Sequence, residues 1–304
     1  MSEAIGNILD LVGNTPLIEL KSVTAHLKNV KIYAKAEYMN PSGSVKDRAA
    51  RAMILHGIKS KAFTKDKILI DATSGNTGIS YAMMCAHLGY KAAICVPKNA
   101  NLERKRLLKA FGAQIIETDP LLSSDGAVGV AKEIALSEPE KYFYPNQYAN
   151  EENPKAHYNS TGIEIWRQSG KKVTHFVAGA GTAGTFTGTS SRLKEFNKNI
   201  KTILMQPDSP FHALEGMKHL ASSPIKGFHD ESLVDEVVEV NSEEAHETAL
   251  RLARDEGLFV GFSSGGNVSA ALKVAQKAQA GSVIVTILCD NGFRYLTDDL
   301  WEKR

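Results

Sequence analysis

Three cysteines in a chain of 304 residues, Cys85, Cys95 and Cys289, are too few and too scattered for a disulfide framework or a thiolate metal cluster. Cys85 and Cys95 lie in apolar runs and read as small core residues. None of the nine histidines has the spacing of a metal site such as H-E-x-x-H, and none is flanked as a triad member would be. They are expected at surface or structural positions, with no metal. No charge of one sign dominates, because 36 basic and 34 acidic side chains are interspersed and leave a formal charge of +2. Without a basic run or stripe, a nucleic-acid or membrane surface is not expected. No apolar stretch approaches the ~20 residues that span a bilayer. The opening MSEAIGNILD lacks a basic segment followed by an apolar one, so no signal peptide is expected and the protein reads as cytoplasmic.

What is present is an ordinary globular composition, 43% hydrophobic and 23% charged, in a chain too long for one minimal core. Two lobes are therefore expected. Short apolar runs that read as buried strands occur at Lys31–Glu37, Lys67–Asp71, Lys91–Pro97, Ala113–Glu117, Thr174–Ala178, Thr202–Gln206, Val234–Val240 and Ser282–Leu288. Amphipathic helical patterns lie between them: Lys46–His56, Gly78–Leu88, Leu102–Phe111, Asp125–Leu136, Thr185–Glu195, Ser242–Glu256 and Asn267–Lys277. This alternation predicts an α/β fold with parallel sheets covered on both faces. In such folds the loops after strand C-termini carry the ligands.

Five such loops stand out. Asn40-Pro41-Ser42-Gly43-Ser44-Val45-Lys46-Asp47-Arg48 follows a strand and opens a helix. A lysine in a first helical turn feels the positive helix terminus, which lowers its pKa from the ordinary ~10.4 and favours the neutral amine. That form serves imine formation and proton abstraction. Thr73-Ser74-Gly75-Asn76-Thr77-Gly78 gathers free amides and hydroxyls at a strand-to-helix turn, a site for a carboxylate or phosphate. Gly179-Ala180-Gly181-Thr182-Ala183-Gly184-Thr185 contains G-x-G-x-x-G and reads either as a dinucleotide fingerprint, with Asp208 after the next strand, or as a phosphate cup for a smaller cofactor. Gly261-Phe262-Ser263-Ser264-Gly265-Gly266-Asn267 reads equally as turn chemistry or as part of the site. Leu288-Cys289-Asp290-Asn291-Gly292 ends the last strand, with Cys289 either core or functional.

Together, N-P-S-G-S-V-K-D-R, T-S-G-N-T-G, the Gly/Thr loop after F-V-A-G and the closing G-F-R-Y-L resemble the cysteine synthase family, the O-acetylserine sulfhydrylases of the fold-type II pyridoxal-phosphate group. The resemblance runs from Gly13-Asn14-Thr15-Pro16-Leu17 to Tyr295-Leu296. It looks closest to the cysteine synthase B branch, by Cys289-Asp290 and by Ser232-Leu233-Val234-Asp235-Glu236-Val237.

The resemblance implies a two-lobed, tryptophan synthase β-like fold. Residues 41–148 would form a smaller mobile substrate-binding lobe, and 1–40 with 149–304 a larger cofactor-binding lobe. Lys46 would hold pyridoxal 5′-phosphate as a Schiff base and then exchange the Cα proton. Asn76 would hydrogen-bond the cofactor's 3′-oxygen, and Gly181, Thr182, Ala183, Gly184 and Thr185 would hold its phosphate. Thr73, Ser74, Thr77 and Gln147 would grip the substrate carboxylate. Cys289 would sit against the pyridine nitrogen, unless Asp290 reached it instead. The reaction implied is β-replacement, making L-cysteine from O-acetyl-L-serine and sulfide or another sulfur donor through an α-aminoacrylate. The rival of the same fold is a lyase that takes cysteine apart and releases hydrogen sulfide, with serine or pyruvate as product. A nicotinamide-dependent dehydrogenase built on the Gly179 loop is a remoter alternative. A homodimer is expected by resemblance.

Two departures bear on the substrate. Ala183 stands where the family usually has glycine, a change expected to cost little. In Asp208–Glu231, only Lys218-His219 approximates the basic pair of the second branch, and Asp230-Glu231 adds acid where that branch is less charged. If either carboxylate faces the β-carbon it would position water or repel sulfide, favouring breakdown of cysteine.

Overall fold

The structure is a computed structural model that describes residues 5–73 and 75–302. It divides into two compact units, Met1–Val12 with Lys46–Asn153, and Gly13–Val45 with Pro154–Arg304.

The first unit is built on a four-stranded parallel sheet in the order β5-β4-β3-β6. Its strands are β3 (Ile68–Ala72), β4 (Lys91–Pro97), β5 (Gln114–Thr118) and β6 (Tyr142–Phe143). Helices α1 (Lys46–Lys59), α2 (Asn76–Leu88), α3 (Leu102–Ala110) and α4 (Ser123–Ser137) alternate with them. β4 is buried from Ala92 to Pro97, as a continuous apolar run in a sheet covered on both faces requires. One core layer joins Ala50, Met53 and Ile54 of α1 to Ile79 and Ala82 of α2, and Leu9 and Val12 join it. That packing groups Leu9 and Val12 with this unit, whereas the expected lobes had put 1–40 together.

The second unit carries a six-stranded sheet, β1-β2-β10-β7-β8-β9. The strands are β1 (Leu17–Leu20), β2 (Lys31–Ala36), β7 (His175–Gly179), β8 (Lys201–Pro207), β9 (Glu236–Val240) and β10 (Val283–Leu288). Only the β1–β2 pair is antiparallel. Helices α7 (Gly184–Phe196), α8 (Ser242–Glu256) and α9 (Phe262–Lys277) cover it. α8 starts on a capping box of Asn241 and Glu244 and stops at Gly257, whose φ of 68° closes the helix as a left-handed cap.

All eight expected strands and all seven expected helices are present, with ends shifted by a few residues. Two strands were not expected, β1 and the two-residue β6. Neither was the helical run α5 (Glu152–Ala156), a π turn (His157–Thr161) and α6 (Gly162–Gln168). The larger correction concerns Gly261–Asn267: from Phe262 onward these small residues are the first turns of α9, not a loop. Gly265 explains the composition, because a Cβ there would lie 2.1 Å from the Ala245 carbonyl oxygen of α8. No helix among the described residues is long and apolar enough to cross a membrane, and no described group of histidine, cysteine and carboxylate side chains is placed to hold a metal.

A buried ion pair anchors the start of the second unit. Lys35, fully buried on β2, lies 2.6 Å from Glu164 of α6 and donates to Gln168 at 2.9 Å and to the Thr15 carbonyl. Thr15 donates in turn to buried Glu37 at 2.7 Å, and Asn40 donates to the same carboxylate at 2.9 Å. Removing one partner of a buried pair strands the other charge. Glu164→Ala is therefore expected to lower the unfolding free energy by about 3–5 kcal/mol, read from urea titration against the parent protein.

Candidate active site

Lys46 is the first residue of α1, in the first helical turn as its motif predicts. The segment leading to it belongs to the second unit and is laid along the end of β10. Val45 N–H donates to the Cys289 carbonyl at 2.8 Å, Ser44 bridges Asp290, Asn291 N–H donates to Gly43, and Arg294 donates to the Ser42 carbonyl. Gly43 has φ 86° and stands so close that a Cβ would meet the Asn291 amide at 2.3 Å. The chain leaves this lacing at Val45 and enters α1 at Lys46.

Within the first unit, the loop after β3 turns sharply into α2, which begins at Asn76. Gly78 permits the turn, since a Cβ there would come within 2.6 Å of the Thr73 methyl and 3.0 Å of Ile94. Gly75 N–H donates to the Thr73 hydroxyl at 3.0 Å. Ser74 lies outside the described residues. Thr77 and Gln147, seventy positions apart, meet: the Thr77 hydroxyl donates to Gln147 Oε1 at 2.7 Å. Gln147 is clamped at every polar atom. Its side-chain amide donates to the Ala72 carbonyl at 2.8 Å, its N–H donates to Asp71 at 3.3 Å, and its carbonyl accepts from Asn153 at 2.7 Å.

Three further groups were not singled out from sequence. Asp71 on β3 is buried and accepts from Ala72 N–H at 2.8 Å and from the Tyr81 hydroxyl at 3.1 Å. Burial pushes its carboxyl up to about 7, against the pull of those donors. The signal was in the sequence: an acid inside the apolar run ILIDA. Arg104 of α3 is buried, with its guanidinium against Gly75, where a Cβ would lie 3.0 Å from Nη1. His157, in the second unit, had no signal at all.

In that unit the Gly/Thr loop joins β7 to α7. A Cβ on Gly181 would lie 2.2 Å from the Gly216 carbonyl oxygen, and one on Gly227 would lie 2.4 Å from the Thr182 carbonyl. Lys218 N–H donates to Ala180 at 2.8 Å and Phe228 N–H to Thr182 at 2.9 Å, so the 216–228 segment frames the loop by its backbone. Ala183 has φ 63°, a left-handed turn that costs an alanine about 1 kcal/mol. That is a backbone reason for the family's glycine, and a larger effect than the sequence alone suggests. Thr185 Oγ1 lies 3.2 Å from Nε2 of buried His157, whose Nδ1 lies 2.9 Å from the Thr161 hydroxyl.

The end of β10 is organised from α9. Asn267 accepts from Gly179 N–H at 2.7 Å and donates to the Ile287 carbonyl at 2.9 Å and to Cys289 Sγ at 3.3 Å. Ser264 accepts from Cys289 N–H at 2.8 Å. The fourth motif thus positions Cys289. Asp290 is buried and accepts from the Tyr295 hydroxyl at 2.8 Å. Cys85 and Cys95 are buried, and burial pushes both thiols up to about 12, in keeping with a core role. Of the remaining candidates, Lys218 donates to the Ser223 hydroxyl at 3.3 Å and His219 lies 2.7 Å from the Ser222 hydroxyl. Asp230 is exposed and caps the short helix Glu231–Leu233, accepting from Ser232 N–H at 2.9 Å.

The Gly/Thr loop fits a phosphate. It lies at the N-terminus of a 13-residue helix, where backbone N–H groups and the helix dipole favour an anion. The absence of a side chain at Gly181 lets the loop lie directly against the Gly216 carbonyl. Gly181→Ala is expected to lower the fraction of purified protein that carries cofactor by at least about tenfold, because the methyl must displace backbone. Visible absorbance per chain measures it.

The family model for "Pyridoxal-phosphate dependent enzyme" matches residues 8–290. A cysteine synthase of Aquifex aeolicus is 47% identical over 98% of this chain and 92% of its own length. A cysteine synthase B of Pseudomonas aeruginosa is 40% identical over 98% of both. The crystal structure of a hydrogen sulfide-producing enzyme from Fusobacterium nucleatum superposes with a TM-score of 0.91 at 37% identity, covering 96% of this chain and all of that one. The dinucleotide reading of the Gly179 loop falls with these matches. The chain belongs to the pyridoxal-phosphate dependent enzyme family, among the cysteine synthases, with the fold-type II architecture and cofactor of that group.

Proposed function

We propose that the protein makes L-cysteine from O-acetyl-L-serine and sulfide: acetate leaves Cβ with its bonding electron pair, and the sulfide sulfur forms the new bond at Cβ. The observation that carries this reading is the end of β10. There Asn267 holds the Cys289 thiol while Tyr295 engages Asp290, which supports the thiol, and not the carboxylate, as the group that faces the pyridine nitrogen.

Bound pyridoxal phosphate supplies the electron sink for bond breaking at Cα and Cβ. Lys46 is the residue proposed to hold it, and its amine, once released, takes the proton from Cα and returns it. Its place beside the reacting carbon makes that transfer effectively unimolecular. Gly181, Thr182, Ala183, Gly184 and Thr185 bind the phosphate, with Thr185 oriented by His157. Asn76 donates to the 3′-oxygen. Thr73, Ser74, Thr77 and Gln147 bind the substrate carboxylate and orient Cβ. The Cys289 thiol would face the ring nitrogen and, unlike a carboxylate, would not keep a proton on it. Lys218, His219, Asp230 and Glu231 are the proposed specificity residues, residues 41–148 the substrate-binding lobe, and a cytoplasmic homodimer the working form.

A second reading, release of hydrogen sulfide from cysteine, is supported by the likeness to the Fusobacterium nucleatum enzyme. It uses the same residues in the same roles. Product analysis separates the two. With O-acetylserine and sulfide the holoenzyme is expected to yield cysteine and acetate, and Lys46→Ala to abolish that turnover. Turnover of cysteine alone, with none of the synthetic pair, would replace the first reading by the second.

A further inference from the structure

We propose that Asp71 is a positioning residue of the carboxylate site: its ionised carboxylate holds Gln147 in register, and uptake of one proton loosens that hold and weakens binding of the amino-acid substrate. This rests on the reading of Thr77 and Gln147 as carboxylate ligands.

The geometry is a relay of three residues. Asp71 Oδ2 accepts from Gln147 N–H at 3.3 Å, and the same residue's side chain accepts from Thr77. Asp71 Oδ1 accepts from Ala72 N–H, and the Ala72 carbonyl accepts from the Gln147 side chain. The carboxylate therefore fixes both the backbone of Gln147 and the strand end on which its side chain rests. Ala72 N–H, the Tyr81 hydroxyl and Gln147 N–H all donate to Asp71, so the site is built for an acceptor, and a proton on Oδ2 would point at a donor. Only Tyr81 can reverse its hydroxyl; the two backbone N–H groups cannot.

Asp71 is also the group in its cluster that titrates near neutrality. Burial pushes it up to about 7. Around it, burial moves Tyr81 of α2 well above its ordinary range, raises Tyr144 after β6, and pushes Cys95 of β4 up to about 12. Cys85, beside Tyr81, is likewise raised to about 12. From α1, Asp47 is turned to Ser80, which donates to it at 2.5 Å. As pH falls through the neutral range, Asp71 is the member of this cluster that takes up a proton, and the acceptor facing Gln147 weakens.

The holoenzyme tests this through KM and kcat for O-acetylserine at saturating sulfide, across neutral pH. The parent's KM is expected to rise about tenfold from the alkaline to the acid side, the worth of one buried charge-assisted bond, with kcat moving less. Asp71→Asn is isosteric but turns a donor toward one of the N–H groups. It should show the acid-side KM at every pH while keeping the cofactor's visible absorbance. Tyr81→Phe removes a donor that pulls the Asp71 pKa down, so the midpoint of the KM profile should move to higher pH. A purely structural role for Asp71 would not move that midpoint. A parent-like KM profile in Asp71→Asn, or an unmoved midpoint in Tyr81→Phe, overturns the proposal. If Asp71→Asn fails to fold, Tyr81→Phe decides alone. Thr77→Val and Gln147→Ala distinguish the levels: if both leave KM unchanged the carboxylate reading itself fails, and if both raise it while Asp71→Asn does not, only the role of Asp71 falls.

Discussion

One side-chain amide, that of Asn267, ties together the ends of β7 and β10 and Cys289 in the second unit. It accepts from the N–H that ends β7 and donates to both the Ile287 carbonyl, near the end of β10, and the Cys289 sulfur. The Gly/Thr loop leaves from the first of these points and the thiol from the last. Because Asn267 is buried in α9, its amide cannot exchange these partners for water, and losing any of them would leave a buried polar group unpaired. The loop and the thiol are consequently fixed to each other through one helix. This arrangement explains why α9 begins with Ser263, Ser264, Gly265 and Gly266: small residues let the helix approach α8 and the strand ends closely enough for Asn267 and Ser264 to reach.

Close backbone approach is the second constraint. At Gly43, Gly181 and Gly227 a Cβ would collide with neighbouring atoms at 2.2–2.4 Å, and each lies in a segment that frames the candidate site. Such approaches require glycine, because a side chain there would collide with a neighbouring carbonyl or side-chain amide. Ala183 departs from this pattern. It keeps its methyl in a left-handed turn and is buried among Phe186 and Leu193, so packing offsets part of the backbone cost.

The first unit shows what sequence patterning can and cannot convey. Its strands and helices were legible because burial on both faces writes itself as apolar runs such as KAAICVP, and because helices are punctuated by residues like Gly89. The clustering of Thr77 with Gln147 followed from family resemblance; no local signal links residues 70 positions apart. Asp71 was visible as an acid in an apolar strand, yet which groups satisfy it depends on tertiary packing. The short strand β6 and the 152–168 helical run escaped because two residues carry no period, and because a π turn at His157–Thr161 breaks the helical one. His157, which lies in that turn, meets Thr185 of the Gly/Thr loop. The same limit applied to Gly261–Asn267, where glycine and serine read as a loop until the contact with α8 showed why a helix needs them.

The central claim is that Lys46, delivered to the head of α1 by the lacing of residues 42–45 along the end of β10, holds the cofactor. Borohydride reduction of the holoenzyme, proteolysis and mass spectrometry test it directly. The account predicts one pyridoxyl-phosphate adduct per chain, on the peptide containing Lys46, and its loss in Lys46→Ala. An adduct on any other lysine, or a reduced protein whose Lys46 peptide is unmodified, would contradict it.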